Sequence, residues 1–389
     1  MGTVAVICPR FPPDYGGPGI AFSRIASRLF EQGIRTTVIC KGDKKLHETA
    51  GNNVIEIYRI TTGSGRIGRI HFGIKVVLKL IFNRGKYQHI HAFTAGWLTF
   101  LLPVLGKLLR RRTTFMMTLL DSDDPVGIKS TKYGGIKAYL FKYYDNYIAI
   151  NPEQKKRIEK VYGNARRVIN GSVGIDINTF SPPSAEEKEE ARNYFGIPTG
   201  VKVAAFAGNI SERKGIKEAV EVWLEVLNTF PDAVFLILGP AFSEEEQKRT
   251  LYPSLLETIK QAGREDNFKF LWHESSRDTV RKLMRAADIY LFPSRKEGTP
   301  SSVMEAMACG VPPAVTPLDG FTGHIVRNSL EGIVLYREDS RKEWADKITE
   351  LLSNPDLIKK MGKAGRERVM QYHSQTVAIK AYCEAWGIS

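Results

Sequence analysis

The hydrophobic pattern of the chain divides it into short apolar runs, typical of buried strands, and longer stretches with helical periodicity. The first run is VAVIC, and the helical segment IAFSRIASRLFEQG follows it with Gly33 as its stop. RTTVIC, NVIEIYRI, HIHAF, TFMMTLL and NYIAI continue the series of apolar runs, most of them separated by helical segments. Strands that alternate with helices predict a parallel sheet with helices on both faces.

The second half of the chain repeats this pattern. VKVAAFAG, AVFLILG, FKFLW and DIYLF are predicted strands, and IKEAVEVWLEVLNTF is a predicted amphipathic helix. Pro182, Pro183 and the acidic helix EEKEEARNYFG mark a change of domain. From SRKEWADKITELL through AYCEAW the last segment is predicted to be helical throughout. The sequence therefore predicts an α/β protein of two Rossmann-like domains, 1–181 and 182–371.

Composition agrees with this division. A chain of 389 residues is too long for one ordinary core, and 43% hydrophobic with 25% charged residues is typical of a soluble globular protein. The four cysteines, Cys8, Cys40, Cys309 and Cys383, lack metal-ligand spacing, and the first three fall in or beside predicted buried elements. We expect neither a disulfide framework nor a zinc site, which favours a reducing cytosol.

Targeting segments are not expected. MGTVAVICPRF has no basic region ahead of its apolar residues and is predicted to be a strand, not a signal peptide. The most apolar later stretch, WLTFLLPVLGKLL, is interrupted by Pro103 and Lys107 and is shorter than the ~20 residues that a membrane span needs. We therefore expect a cytoplasmic protein.

The formal net charge of +14 calls for an explanation. Basic residues alternate with apolar ones in two segments of the first half: Arg66, Arg69, Lys75, Lys79, Arg84 and Lys86, then Lys107, Arg110, Arg111 and Arg112. Such a basic amphipathic segment can lie on anionic lipid at the inner face of the membrane, whereas the solvated faces of ordinary helices explain it equally well. Nucleic acid is not expected, because no aromatic-basic interleaving or binding module is present.

The candidate chemistry lies between residues 288 and 317. The strand DIYLF precedes the loop RKEGTP and a helix, for which Thr299 is the predicted N-cap, Pro300 the first helical residue and Gly310 the stop. VPPAV is the next predicted strand, although its two prolines suit an interior strand poorly.

Two glutamates flank the start of this helix. Glu297 precedes it and Glu305 lies on it, with seven residues between them. The free N–H groups around Ser301 and Ser302 suit an anion such as phosphate, and carboxylates accept hydrogen bonds from the hydroxyls of a sugar or a ribose.

EGTPSSVMEAMACG resembles the Glu, seven residues, Glu signature of retaining glycosyltransferases, particularly family 4 of the group 1 glycosyl transferases. The FPS lead-in, Gly298 and the EAMACGVP run match together, which a chance pair of surface glutamates would not explain. The resemblance implies a GT-B fold, in which two Rossmann-like domains face each other across a cleft. It also implies that the last helix, 372–389, crosses back to the N-terminal domain.

The resemblance also implies roles for individual residues. Glu305 would bind the ribose and Glu297 the transferred sugar, while Lys214 in AGNISERKG would hold the donor diphosphate. Glu297 and Lys214 are thereby the implied catalytic residues. The family's arginine position in that loop is Asn209 here, and Arg213 is a candidate substitute. Further donor-binding candidates are Gly298, Thr299, Ser301 and Ser302, with Gly16 and Gly17 from the glycine-rich loop after the first strand.

Cofactors are not expected. The Gly16 to Gly19 loop does not spell a dinucleotide fingerprint, which argues against NAD. Asp121, Ser122 and Asp123 match a three-residue metal motif of the other main glycosyltransferase fold, but a plain acidic loop is the favoured interpretation. The implied reaction needs no metal.

Other candidate residues leave alternatives open. His89 and His91 alternate at a strand end, where ligands bind in open α/β sheets, although such histidines are more often packed and hydrogen-bonded. Leu120 stands where the family often has a histidine. A hydrolase is disfavoured, because eight helical steps separate two carboxylates by about 12 Å, beyond the roughly 5 to 9.5 Å of glycosidase pairs.

The function expected from the sequence is transfer of a hexose from a nucleotide-diphosphate donor, with retention, to the hydroxyl of a glycan, a lipid-linked acceptor or a small molecule. A sugar-nucleotide epimerase on the same fold is the alternative. A nucleic-acid-binding protein is the more distant one.

Overall fold

The computed structural model describes residues 3–12, 17–42, 47–50, 55–63, 65–93, 96–118, 125–163, 167–239, 247, 249–272 and 277–388. The predictions for Gly16, Leu120, Asp121, Ser122 and Asp123 lie outside these residues. The chain forms two compact units, one of residues 1–174 and 374–389, the other of residues 175–373. The domain limits inferred above, near 181 and 371, lie a few residues away and stay a prediction.

The first unit is built on a sheet of eight strands in the order β3-β4-β2-β1-β5-β6-β7-β8. Their bounds are β1 Thr3–Ile7, β2 Arg35–Lys41, β3 His47–Ala50, β4 Ile55–Ile60, β5 Tyr87–Ala92, β6 Arg112–Met116, β7 Asn146–Ala149 and β8 Arg167–Asn170. Neighbouring strands are parallel, except that β3 is antiparallel to β4. β3 was not predicted, because HETA contains no apolar run.

Helices cover both faces of this sheet. They are α1 Gly17–Glu31, α2 Gly65–Phe82, α3 Leu98–Leu109, α4 Pro125–Lys129, α5 Gly134–Phe141 and α6 Pro152–Tyr162. Alternate residues of β1 enter different cores: Val4 and Val6 pack with α1, whereas Ala5 and Ile7 pack with α2 and α3. This alternation is that of a parallel strand buried on both sides.

The second unit contains a parallel sheet in the order β11-β10-β9-β12-β13-β14. Its strands are β9 Val203–Ala207, β10 Val234–Leu238, β11 Phe268–Leu271, β12 Ile289–Phe292, β13 Pro313–Val315 and β14 Ile333–Val334. Its helices are α7 Ala185–Tyr194, α8 Ile216–Val226, α9 Tyr252–Gln261, α10 Arg277–Ala286, α11 Ser301–Ala308, α12 Arg341–Leu352 and α13 Pro355–Tyr372. The predicted α/β repeat is therefore present in both units.

Strand β13 shows how the sheet accommodates two prolines. It lies between β12 and β14, and Pro313 is its first residue. The carbonyl of Pro312 accepts a hydrogen bond from the Tyr290 N–H at 3.1 Å, so that the proline serves only as an acceptor. A proline at the first position of a strand costs the ladder no donor in its interior.

The C-terminal segment was predicted to be helical throughout, and this prediction is wrong. Helix α13 ends at Tyr372, His373 and Ser374 interrupt the helix, and α14 Gln375–Trp386 follows as part of the first unit. There the Trp386 indole donates to His91 Nδ1 at 3.2 Å, and the Asn146 amide donates to the Ala385 carbonyl at 2.6 Å. The last helix is thereby fixed to the sheet of the first unit.

The two histidines of β5 belong to this core. His89 and His91 are both buried, and His89 Nε2 lies 2.8 Å from the Thr114 hydroxyl. Burial lowers the pKa of His89 to about 3, with a further contribution from Arg112, and burial lowers the pKa of His91 well below its usual range. The structure thus supports the packed interpretation of this pair.

Three of the four cysteines lie in the buried surroundings expected for them. Cys8, Cys40 and Cys309 are buried, and all four cysteines are free. Among the described residues, none of the helices combines the length and the hydropathy needed to cross a bilayer.

The buried histidines predict a loss of stability in mild acid. An unfolded histidine titrates near pH 6.5, whereas folded His89 stays neutral down to about pH 3. Between these values only the unfolded chain takes up the proton, so the free energy of unfolding falls as the pH falls. This loss is about 2 kcal/mol for one histidine at pH 5. In His89→Gln, the decrease in melting temperature between pH 7.5 and pH 5 should be smaller than in the wild type. An equal decrease in both proteins would contradict the neutral state of His89.

Candidate functional site

Strand β12 leads directly into the candidate site. Its four residues are all buried, and the chain leaves the sheet through Pro293 and Ser294 before helix α11 begins. The strand DIYLF was predicted in this position. At a carboxyl strand end of an open parallel sheet, the loop that follows lies where ligands bind in such folds.

The start of α11 differs from the prediction. Pro300, not Thr299, is the N-cap residue, and it has no side-chain cap. The Thr299 hydroxyl is buried and has no hydrogen-bond partner among the residues that the structure describes. Because the helix begins one residue later than predicted, the N–H groups of Ser301, Ser302 and Val303 precede the first intrahelical bond, from the Met304 N–H to the Pro300 carbonyl. These N–H groups are available to an anion.

The end of α11 confirms the stop at Gly310. This glycine has a φ of 76°, its N–H donates to the Met307 carbonyl, and the Val311 N–H donates to the Ala306 carbonyl. The two bonds form a Schellman motif, which favours glycine because of its left-handed conformation. The eight-residue helix is thus defined at its C-terminus.

Glu297 is the centre of a charged cluster. Its Oε1 lies 2.7 Å from Lys214 Nζ and 2.7 Å from Arg213 Nη1. The Ser294 hydroxyl is 3.0 Å from the same oxygen. The side chains of Glu297 and Lys214 are only 10% and 15% exposed, whereas that of Arg213 is 48% exposed. The structure therefore brings the two predicted catalytic residues into direct contact.

Backbone contacts hold the two loops of this cluster together. The Arg295 N–H donates to the Arg213 carbonyl at 2.8 Å, and the Arg213 guanidinium donates to the Lys296 carbonyl at 2.7 Å. Gly215 lies so close to the β12 loop that a Cβ atom would be 1.9 Å from the Pro293 carbonyl oxygen, and its φ is 69°. Only glycine satisfies both conditions.

The environment of Lys214 destabilises its charged form. Burial lowers the lysine pKa, and Arg213 lowers it further, whereas the Glu297 carboxylate opposes both effects. Lys214 Nζ also lies 4.9 Å from the centre of the Phe292 ring. A second negative group beside this ammonium would relieve part of the burial cost.

Glu305 lies on α11 within the same part of the unit and is 3% exposed. It shares a neighbour with Glu297: burial raises the pKa of the Tyr290 phenol well above its usual range, and both carboxylates raise it further. The Tyr290 hydroxyl accepts a hydrogen bond from the Ala207 N–H at 3.0 Å. Tyr290 thus contacts the end of β9 and is influenced electrostatically by both glutamates.

The structure places the remaining predicted residues on several separate elements. Gly298 is buried in the same loop, and Asn209 is exposed in the loop after β9. Arg213, whose direction the sequence left open, points to Glu297. Gly17 is the first residue of α1 in the first unit and is exposed there.

Sequence reasoning missed Ser294 and Tyr290. Besides Glu297, the Ser294 hydroxyl approaches the Arg213 carbonyl at 2.9 Å, and the Ser294 carbonyl accepts a hydrogen bond from Thr316 at 2.5 Å. The FPS lead-in and the apolar run of β12 indicated where Ser294 and Tyr290 lie in the fold. They did not indicate which groups these two residues contact.

No group of three or more His, Cys, Asp or Glu side chains suited to a metal ion is present among the described residues. The Asp121 to Asp123 motif belongs to the part that the structure does not describe.

Comparison with known proteins identifies the family. The sequence profile named "Glycosyl transferases group 1" matches residues 187–368. TuaC of Bacillus subtilis, a glycosyltransferase by name, is 31% identical over 300 residues, which are 75% of this chain and 69% of TuaC. The D-inositol 3-phosphate glycosyltransferase of Corynebacterium urealyticum is 26% identical over 57% of this chain and 51% of its own length. This chain thus spans about half the length of such curated relatives.

Solved structures extend the likeness to the whole chain. HepE of Anabaena in complex with UDP matches with a TM-score of 0.79 and 17% identity, covering 100% of both chains. At this identity the likeness shows the fold alone. The fold is GT-B, and the chain belongs to the group 1 family of glycosyl transferases.

Proposed function

We propose that the protein is a retaining glycosyltransferase that transfers a hexose from a nucleotide-diphosphate donor to an acceptor hydroxyl without a metal ion. The observation that carries this proposal is the buried contact of Glu297 with Lys214 beside the uncapped start of α11. Family membership supports the class of reaction. A UDP complex of HepE, a protein with the same fold, supports a nucleotide-sugar donor.

Each part of the site suits one part of such a donor. Glu305, a buried carboxylate, would accept hydrogen bonds from the two ribose hydroxyls, and Glu297 would accept them from the transferred sugar. The diphosphate would lie against Lys214 and the N–H groups of Ser301 and Ser302. Gly298 leaves room for close approach of the ligand, because it has no side chain. Asn209 and Gly17, both exposed, are further donor-binding candidates that the family resemblance implies.

The chemistry follows from charge that develops on the diphosphate. The bond from C1 of the sugar to the phosphate oxygen breaks, and its electron pair leaves with the diphosphate. The acceptor oxygen then bonds to C1 from the same face, through an oxocarbenium-like state, and its proton passes to the departing phosphate. Lys214 and the helix N–H groups are fixed in place, so they stabilise the leaving group without reorganisation.

The charge balance around Lys214 favours a bound diphosphate that carries developing negative charge. In the absence of donor, one carboxylate faces two cations, Lys214 and Arg213. An incoming diphosphate supplies the additional negative charge that these cations lack. Binding energy is therefore largest when charge on the diphosphate is largest, which is the condition for lowering the barrier.

For the acceptor, the family implies binding by the N-terminal domain, which corresponds to the first unit. A glycan, a lipid-linked hydroxyl and a small molecule are the classes of acceptor consistent with the proposal.

We further propose that the protein acts at the inner face of an anionic membrane. We also propose that it belongs to family 4 of the glycosyltransferases.

Replacing Lys214 tests the catalytic role. Lys214→Ala should lower kcat about 10² to 10³-fold, as the loss of one preorganised donor does, with a smaller effect on donor affinity. The measurement is the rate of UDP release from UDP-glucose, or from the nucleotide sugar that raises the melting temperature most in a panel. Lys217→Ala, an exposed lysine three residues away, is the matched control and should keep the wild-type rate. A wild-type kcat in Lys214→Ala would refute the role.

Replacing Glu305 tests nucleotide recognition. Glu305→Gln keeps the shape of the side chain but removes the charge, so we expect UDP to bind about tenfold more weakly, because charge-assisted hydrogen bonds are roughly twice as strong as neutral ones. Calorimetric titration with UDP measures this, and the exposed Glu189→Gln is the control. An unchanged Kd in Glu305→Gln would remove the ribose assignment. Mass analysis of the product separates transfer from epimerisation, which leaves the sugar on the nucleotide.

A further inference from the structure

The net positive charge of the protein belongs to one unit. The first unit contains 29 Lys and Arg against 12 Asp and Glu, whereas the second contains 27 against 30. The residues proposed to contact the diphosphate, Lys214, Ser301 and Ser302, lie in the second unit, so binding of a nucleotide diphosphate does not account for the excess. The first unit therefore requires a separate explanation for its charge.

Within the first unit, the excess is concentrated in two segments that contain the helices of one face of the sheet together with their adjoining loops and strands. No Asp or Glu occurs from residue 57 to residue 120, a segment with 11 Lys and Arg, and none occurs from 125 to 144, which adds four lysines. These segments contain α2, α3, α4 and α5, whose inner residues share one hydrophobic core. That layer of helices thus has basic side chains without acidic ones.

Helices α2, α3 and α5 form a continuous layer. The Trp97 indole before α3 donates to the Arg69 carbonyl of α2 at 3.2 Å, and Gly73 of α2 lies directly against the Trp97 ring. Lys137 of α5 lies 5.8 Å from the Phe100 ring of α3. The outward side chains of the three helices therefore belong to one surface, which we call the α2-α3-α5 face.

This face is also apolar. Helix α2 buries Phe72, Val76 and Leu80 against the sheet, yet it exposes a second apolar row at intervals of three and four residues. The exposed residues of the face are Ile67, Ile70, Ile74, Leu78, Ile81 and Phe82 in α2, Leu101 and Leu108 in α3, and Tyr133, Ile136 and Tyr139 in and beside α5. Ile67 and Phe82, at the two ends of α2, are 82% and 80% exposed. A helix that is apolar on two sides needs a second apolar environment.

Lysines are placed beside aromatic rings at this surface. Lys142 Nζ lies 3.9 Å from the centre of the Tyr139 ring, and Lys107 Nζ lies 4.2 Å from that of Tyr143. Long basic side chains with apolar stems, next to tyrosine rings, suit the boundary between lipid headgroups and acyl chains.

The positive charge of the α2-α3-α5 face favours an anionic bilayer over a second copy of the chain as the partner that covers it. A two-fold dimer through this face would bring the same patch of both copies together, and therefore basic residues against basic residues. An anionic bilayer offers opposite charge and an apolar interior in one surface. We propose that the α2-α3-α5 face is a docking surface for an anionic membrane, and that α5 takes part in it together with α2. This proposal does not require the glycosyltransferase activity.

Sedimentation with vesicles tests the proposal on the full chain. Vesicles of phosphatidylcholine alone are compared with vesicles that contain about three tenths phosphatidylglycerol, at low and at high salt. We expect binding to the anionic vesicles at low salt, weaker binding at high salt, and little binding to the neutral ones. Equal recovery with both vesicles at low salt would overturn the proposal.

Variants separate charge from apolar contact. Arg66→Gln with Arg69→Gln should weaken binding about thirtyfold, and Ile70→Ser with Ile74→Ser about tenfold or more. Ile136→Ser with Tyr139→Ser tests α5 and should also weaken binding. The matched controls are exposed residues of the second unit, Lys217→Gln with Lys363→Gln and Leu256→Ser with Leu330→Ser, which should bind like the wild type. Equal losses in variants and controls would overturn the proposal.

Two further measurements test whether docking occurs through this face and whether a second copy of the chain covers it instead. Hydrogen exchange in α2 and α5 should slow when anionic vesicles are added, and unchanged exchange there would contradict docking through this face. A concentration-dependent dimer that Ile70→Ser with Ile74→Ser abolishes would assign the face to a second copy, against the proposal. Each variant should show the wild-type melting temperature and UDP affinity, so a failure of membrane docking is distinguishable from a failure of the donor site.

Discussion

The proposed donor site depends on one carboxylate shared by two cations. Glu297 reaches Lys214 and Arg213 across 83 and 84 residues of sequence, and the contact requires that the loop after β9 and the loop after β12 lie side by side. Adjacent parallel strands produce this arrangement, because β9 and β12 are neighbours in the sheet and both end at the same edge. The sheet order therefore determines which charges meet.

Backbone geometry then determines how closely they meet. The left-handed Gly215 against the Pro293 carbonyl permits an approach that any side chain would prevent, and the Arg213 carbonyl accepts the Arg295 N–H. These contacts bury Lys214 enough to lower its pKa while leaving it one counter-charge. A buried ammonium with one counter-charge is preorganised to bind an anion. Its burial destabilises the fold, and the surrounding packing offsets this cost.

The sequence predicted the elements of this site better than their contacts. DIYLF was recognisable as a buried strand, and Gly310 as a helix stop, because both depend on local residue types. The first residue of α11 was predicted one position early, since proline suits both the first turn and, as here, the cap itself. The pairing of Lys214 with Glu297, the role of Ser294 and the direction of Arg213 depend on which strands are neighbours, and no local pattern contains that information. The short strand β3 was missed for a related reason, because HETA is defined by its pairing with β4 and not by an apolar run. Strand β14 was missed although it lies in the apolar run IVLY.

The return of α14 to the first unit has a consequence for synthesis of the protein. Tyr382 and Trp386 fill the core between α1 and the sheet, next to residues such as Phe22 and His91. Nearly 200 residues of the second unit separate this helix from the rest of the first unit, so the ribosome must produce the second unit before the first can close its core. Domains generally fold in the order of their synthesis. Here the second unit is able to complete its fold first, whereas the core of the first unit stays incomplete until α14 has been synthesised.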